Sequence, residues 1–72
     1  MGHLLAEEER GRLEPLAVHG PTPVIQRWAQ LLLLYDQGLP TREVADRVGL
    51  SRGRTRYWRR RFQQTGIGAF PI

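Results

Sequence analysis

The apolar positions of this 72-residue chain recur at helical spacing. Placed on a helix at about 100° per residue, Val44 and Val48 fall on one face. Further along, Thr55, Trp58 and Phe62 lie within about 60° of one another on a second helix, so the two faces can close over one small core. Ala45 occupies the point where these helices would cross most closely, and a larger side chain there would push them apart. The longest uninterrupted apolar run, Leu31 to Tyr35, is far short of the roughly 20 residues of a membrane span. A helix with leucines all round in that stretch must cover two surfaces. One is the core below it. The other is either the N-terminal segment, through Leu5, Leu13 and Leu16, or a second protein chain. Period-2 alternation is absent and the linkers are short, so the fold class is all-α.

Glycines mark the ends of these elements. Gly20, Gly38, Gly49 and Gly66 are each followed by an apolar residue (Pro21, Leu39, Leu50, Ile67), and the residues five positions before those are Leu16, Leu34, Ala45 and Phe62. A left-handed glycine cap, with the following side chain packed back on the helix, has this pattern. Thr22, Thr41 and Ser51 precede helical stretches and can cap their free N–H groups, and Pro23 suits a first helical position. The predicted helices are 22–37, 41–48 and 51–65. Ahead of them, a helix from about Ala6 should bend or break near Pro15, where an interior proline costs about 3 kcal/mol. The chain is therefore read as one compact domain: an acidic helical segment over 1–21, a core over 22–68 and a short tail over 69–72. The tail from Gly66 to Ile72 is apolar and is expected to fold back on the domain.

Composition narrows the functional classes. A domain this short hides only roughly 60% of its unfolded surface, which leaves little room for a buried catalytic pocket of a few hundred Å³. Without cysteine, neither disulfides nor thiolate zinc sites are available. No secretory or transit signal is legible at the N-terminus, which holds Glu7, Glu8, Glu9 and Glu14; the cytoplasm is the expected location. The triple glutamate reads as favourable charge near a helix start rather than a carboxylate site. All 11 basic residues are arginine and the formal net charge is +4. That figure averages unlike segments: residues 1–20 sum to −2 (two arginines, four glutamates), 21–41 to zero, and 42–72 to +6 (eight arginines against Glu43 and Asp46). Arginine usage of this kind follows from a GC-rich genome, but planar guanidinium groups also suit phosphate and guanine.

The stretch GLPTREVADRVGLSRGRTRYWRRRF resembles the homeodomain-like helix-turn-helix of mariner-like insertion-sequence transposases and related bacterial DNA-binding proteins. The combination of Ala45, Gly49, Leu50, Ser51 and Trp58 with the RRRF ending carries the likeness, over about residues 22–68. It implies a small three-helix helix-turn-helix core with an additional N-terminal helix, the second motif helix being the recognition helix. Thr55 departs from the pattern, which usually has valine or isoleucine there; its hydroxyl can bond back to a carbonyl one turn earlier.

The residues point the same way unaided. From Ser51 to Thr65 there are six arginines and no acid, where a merely solvated helix face would mix both signs. Such a helix, about 10 to 12 Å across, fits a major groove about 12 Å wide. Arg52, Gly53, Arg56, Tyr57 and Arg60 lie on the stripe opposite Trp58 and are the candidate base contacts. Arg52 and Arg56 can each pair bidentately with guanine, Gly53 keeps the surface low, and Tyr57 can touch a phosphate or a thymine methyl. Thr41, Arg42, Ser51, Arg54, Arg59 and Arg61 are the candidate phosphate contacts, joined by the amides after Thr41.

Other readings are weaker. Trp58 and Phe62 could stack on single-stranded bases, but their inward spacing favours a core; Trp28 is expected in the core as well, and Tyr35 half-buried. His3 and His19 have no second ligand at metal spacing, and Gly66 and Gly68 form no phosphate loop. Mariner-like transposases carry three carboxylates and two metal ions on a separate catalytic domain, and the only aspartates here are Asp36 and Asp46. Ser51 reads as a cap. No catalytic residue, metal or cofactor is expected. The expected partner is double-stranded DNA, for a transcriptional regulator or the DNA-binding part of a transposase-like protein, with a homodimer or a fused downstream domain left open. The alternatives are a protein-interaction module built on the leucine-rich helix, and structured RNA, whose deep, narrow groove suits such a helix poorly.

Overall fold

The computed structural model describes residues 5–66. They form four helices and no strand: α1 (Glu7–His19), α2 (Pro23–Asp36), α3 (Thr41–Val48) and α4 (Arg52–Thr65). The expected all-α class and the three core helices are observed. His3, the contact of Ile67 with Phe62, the fold-back of the tail and the segment 69–72 lie outside the described residues.

The core sits around α2. Leu31 and Leu32 are fully buried, with Ala29 and Tyr35 beside them. Val44 and Val48 of α3 and Phe62 of α4 meet one side of this helix, and Leu5 and Leu13 join the same core from the N-terminal segment, with Leu16 partly buried. Within the chain the run thus finds cover for Leu31 and Leu32, while Leu33 and Leu34 are half-buried. Trp28 and Trp58 pack on the core with their ring centroids 4.6 Å apart at 46°, so Trp58 is turned towards α2 as its spacing predicted. Tyr35 is more buried than expected, at 8% exposure.

α1 departs from expectation. It runs unbroken through Pro15. Gly11 and Pro15 are both exposed, so the Gly11 carbonyl that loses its donor to proline can be hydrated. Farther along, α2 compensates: the Gln30 amide donates to the Ala17 carbonyl and the Gln26 amide to the Gly20 carbonyl, each at 2.9 Å. Tertiary hydrogen bonds hold the end of α1 where local propensity alone predicts a break. The other end is tied by Asp36, the last residue of α2. Its Oδ1 accepts the Leu5 amide and its Oδ2 the Arg10 Nε, both at 2.9 Å. This carboxylate, hydrogen-bonded to Arg10, raises the guanidinium above its ordinary pKa.

Some end signals also need correction. Gly38 and Gly49 have the positive φ expected of caps; Gly66 shares it (φ 70°) but with ψ −159° is not left-handed helical, and Gly20 has φ −57° and ψ 152°. Glycine is required there by crowding instead, since a Cβ would lie 2.6 Å from the Leu16 carbonyl oxygen. Thr41 is the first residue of α3 rather than its cap; the cap is Pro40 in an extended conformation. A proline offers no side-chain acceptor, so the α3 start lacks a side-chain cap. Thr22 and Ser51 do cap, accepting the amides of Ile25 and Arg54 at 3.2 Å.

Candidate nucleic-acid interface

The α3–α4 junction fixes how the arginine-bearing helix is presented. At Gly49 the chain turns left-handed (φ 74°, ψ 31°), a conformation that costs a residue with a Cβ roughly 1–2 kcal/mol. The amides of Gly49 and Leu50 both bond to the Ala45 carbonyl, at 2.9 and 3.1 Å, which closes α3 and lets Ser51 start α4 only two residues later. Ala45 is 3% exposed, and its small side chain suits the closest approach of the two helices. Inside α4, Thr55 is fully buried and its hydroxyl donates to the Ser51 carbonyl at 2.8 Å. That is the back-bond expected of its departure from valine or isoleucine.

With Thr55 and Phe62 buried and Trp58 leaning on Trp28, α4 turns most of its other residues outward. Arg52, Gly53, Arg54, Arg56, Tyr57, Arg60, Arg61 and Gln63 are all exposed. Arg52, Arg56 and Arg60 follow one another at four-residue spacing and so share one face. The guanidinium groups of these three and of Arg54 have no hydrogen-bond or ion-pair partner among the described residues. A Cβ at Gly53 would meet nothing within 4 Å. The fold therefore does not demand glycine there, and its lack of a side chain leaves the helix backbone approachable.

Tyr57 and Arg61, which the sequence assigns to different tasks, come together. The Arg61 Nη1 donates to the Tyr57 hydroxyl at 3.4 Å, and its Cζ stands 5.9 Å from the ring centre. Tyr57 is 51% exposed and its ring meets the edge of Trp58 at 5.2 Å. The pair forms one ridge along α4.

Arg59 is set apart from the other five. It is half-buried, with its Cζ 4.9 Å from the centre of the Tyr35 ring. Its Nε is buried without a hydrogen-bond partner among the described residues. Thr41 is half-buried too, its hydroxyl paired with that of Tyr35 at 2.8 Å. Arg42 next to it is exposed. Because α3 starts without a side-chain cap, the amides of Thr41 and Arg42 are donors available to an anion, while that of Glu43 bonds to the Pro40 carbonyl at 3.0 Å. Ser51 is exposed but its hydroxyl already accepts the Arg54 amide. Sequence reasoning did not find the parts played by Tyr35 and Asp36. Their partners lie on other helices, and no local spacing announces them.

Chemically, this surface presents guanidinium donors in a planar fork, one aromatic ridge and an uncapped helix start, with no carboxylate on α4 itself. Such a set suits a dense polyanion of helical repeat better than a small ligand. No helix among the described residues is long and apolar enough to cross a membrane. No group of three or more histidine, cysteine or acidic side chains that could hold a metal occurs among them. A family model described as a homeodomain-like domain matches residues 22–71. No curated protein and no solved structure gives a significant match.

Proposed function

The chain belongs to the homeodomain-like family of helix-turn-helix domains, which suggests DNA binding, and from that premise we propose that it is a sequence-specific double-stranded DNA-binding module that lays α4 in the major groove. The observation that carries this reading is the face of α4 on which Arg52, Arg56 and Arg60 stand exposed and unpaired. Arg52 and Arg56, near the front of the helix where a recognition helix sits deepest, take guanine edges. Gly53, Tyr57 and Arg60 line the same contact. Thr41, Arg42, Ser51, Arg54, Arg59 and Arg61, with the first amides of α3, take phosphates and set register. The domain works by binding and not by catalysis, as a transcriptional regulator or as the DNA-binding part of a transposase-like protein.

Selection from a random duplex library, with the mass of the complex measured alongside, gives the site and the stoichiometry. A salt titration on the selected duplex then tests the reading. Neutralising about four to six phosphates makes log K fall against log salt with a slope of roughly −4 to −5. A flat slope, or no binding to any duplex at low salt, rejects it. Those outcomes favour the competing reading, a protein-interaction domain, whose best support is the shallow hollow lined by Ala17, Leu33 and Leu34 beside Arg47.

A further inference from the structure

Tyr35, on the last turn of α2, reaches both halves of the helix-turn-helix. Its hydroxyl meets Thr41 at the start of α3 at 2.8 Å, and its ring lies beneath the Arg59 guanidinium of α4 at 4.9 Å. With 8% of its surface exposed, the ring is held by the core and cannot follow a mobile side chain. Arg59 conforms to it. Burying Nε without an acceptor is unfavourable, and attraction between the cation and the ring face offsets that cost. An arginine on an open helix face loses its rotamer freedom when it binds; Arg59 has given up much of it already.

The place where Arg59 is held matters as much as the holding. It stands beside the outward stripe of Arg52, Arg56 and Arg60, not on it. Its surroundings form an open hollow of about 700 Å³, whose lining includes Thr41 at the start of α3 and Gln63 of α4. Glu9 also borders this hollow; its Oε1 accepts the Ala6 amide at 2.9 Å, which ties the carboxylate to the start of α1 and leaves its charge in place. A cation flanking the groove-facing stripe and close to the first turn of another helix is placed for the strand backbone, not for bases.

We propose that Tyr35 is a positioning residue of the DNA interface, its ring orienting Arg59 towards a backbone phosphate in step with the first turn of α3. This rests on the DNA-binding reading above. It assigns to a core aromatic a part in affinity that its packing role does not require.

A double-mutant cycle on the selected duplex tests it, using Tyr35→Leu, Arg59→Ala, the pair and Tyr35→Phe, at a temperature where circular dichroism shows each variant folded. One phosphate contact contributes about 0.9 to the salt slope, which is a factor of about eight in affinity near 0.1 M salt. Arg59→Ala loses about that much on both measures. Tyr35→Leu reproduces most of the loss when Arg59 is present and adds less than about twofold when it is absent; Tyr35→Phe, which keeps the ring, leaves the slope unchanged. Equal losses from Tyr35→Leu in both backgrounds, with the slope unmoved, make Tyr35 merely structural and overturn the proposal. A slope unchanged by Arg59→Ala also overturns it, while leaving the DNA reading intact if the wild type binds. Absence of wild-type binding overturns both. Should Tyr35→Leu not fold, the Nε–H signal of Arg59 in ¹⁵N-arginine spectra of the wild type decides. A ring-shifted signal that exchanges with water more slowly than those of Arg52 and Arg56 supports the seat, and exchange as fast as theirs removes it.

Discussion

Arginine supplies every basic side chain of this protein, and the work open to each guanidinium depends on what it rests against. Arg56 rests on nothing. Exposed and unpaired near the front of α4, it is free to meet a base edge, whereas Arg59 is seated against Tyr35. The two should fail differently when truncated. Arg56→Ala is expected to weaken binding and relax preference at one base position, by about 1–3 kcal/mol of discrimination. Arg59→Ala is expected to weaken all duplexes about equally. Binding measured over a panel of single-base variants of the site separates these outcomes, and indistinguishable profiles would refute the assignment. Thr55 offers a test confined to the fold. Its hydroxyl bonds to the Ser51 carbonyl, but that oxygen also accepts the Thr55 amide at 3.0 Å. Removing the hydroxyl therefore orphans no buried group. Thr55→Val, nearly isosteric, should change stability by less than about 1 kcal/mol in urea denaturation, and a larger loss would show that the back-bond fixes the helix start.

At the level of the helices, the sequence was most readable where an element's ends are set by its own residues. Gly49, Ser51 and Thr22 act through neighbours three to five positions away, and α2, α3 and α4 begin and end within about two residues of expectation. Where an end is set from elsewhere, local reading failed. Pro15 does not break α1, because Gln26 and Gln30 reach across from α2 to its final carbonyls. Thr41 does not cap α3; it is the first helical residue, and its hydroxyl pairs with Tyr35 instead. The arginine stripe on α4 was legible from spacing alone; the ring under Arg59 was not, since the two residues are on different helices. Asp36 is the sharpest case. Its partners Leu5 and Arg10 are 31 and 26 residues away, beyond any local spacing. It fastens the start of α1, which precedes the family-matched segment, to the end of α2. Asp36→Ala should loosen α1 first. Hydrogen exchange is expected to quicken in the amides of α1 while protection in the middle of α2 persists. Uniform acceleration across all four helices would mean that α1 and the core open as one unit.

Viewed as a whole molecule, the domain has a lopsided charge that its net value conceals. The +6 of residues 42–72 lies largely on one helix, and the described structure places no carboxylate in contact with its outward face. Arg52, Arg56 and Arg60 repel one another at four-residue spacing, each such pair costing about 0.2–0.5 kcal/mol. Salt therefore acts on this protein in two opposite directions. It screens the repulsion within the free domain and competes with phosphates in the complex. The melting temperature of the free domain should rise by a few degrees as salt increases from low to moderate concentration, over the range where affinity for DNA falls steeply. A falling melting temperature would mean that attractive pairs such as Arg10 with Asp36 outweigh the repulsion on α4.

An unpaired stripe of like charge also sets the order in which the molecule comes apart. Alone, the domain carries its internal conflict on the helix it would use to read DNA, so α4 should fray ahead of α2. A polyanion lying along that stripe removes the conflict, and α4 then becomes one of the slowest parts to open. On the proposed DNA-binding reading, α4 would reach full rigidity only in company, its final ordering supplied by the bound duplex.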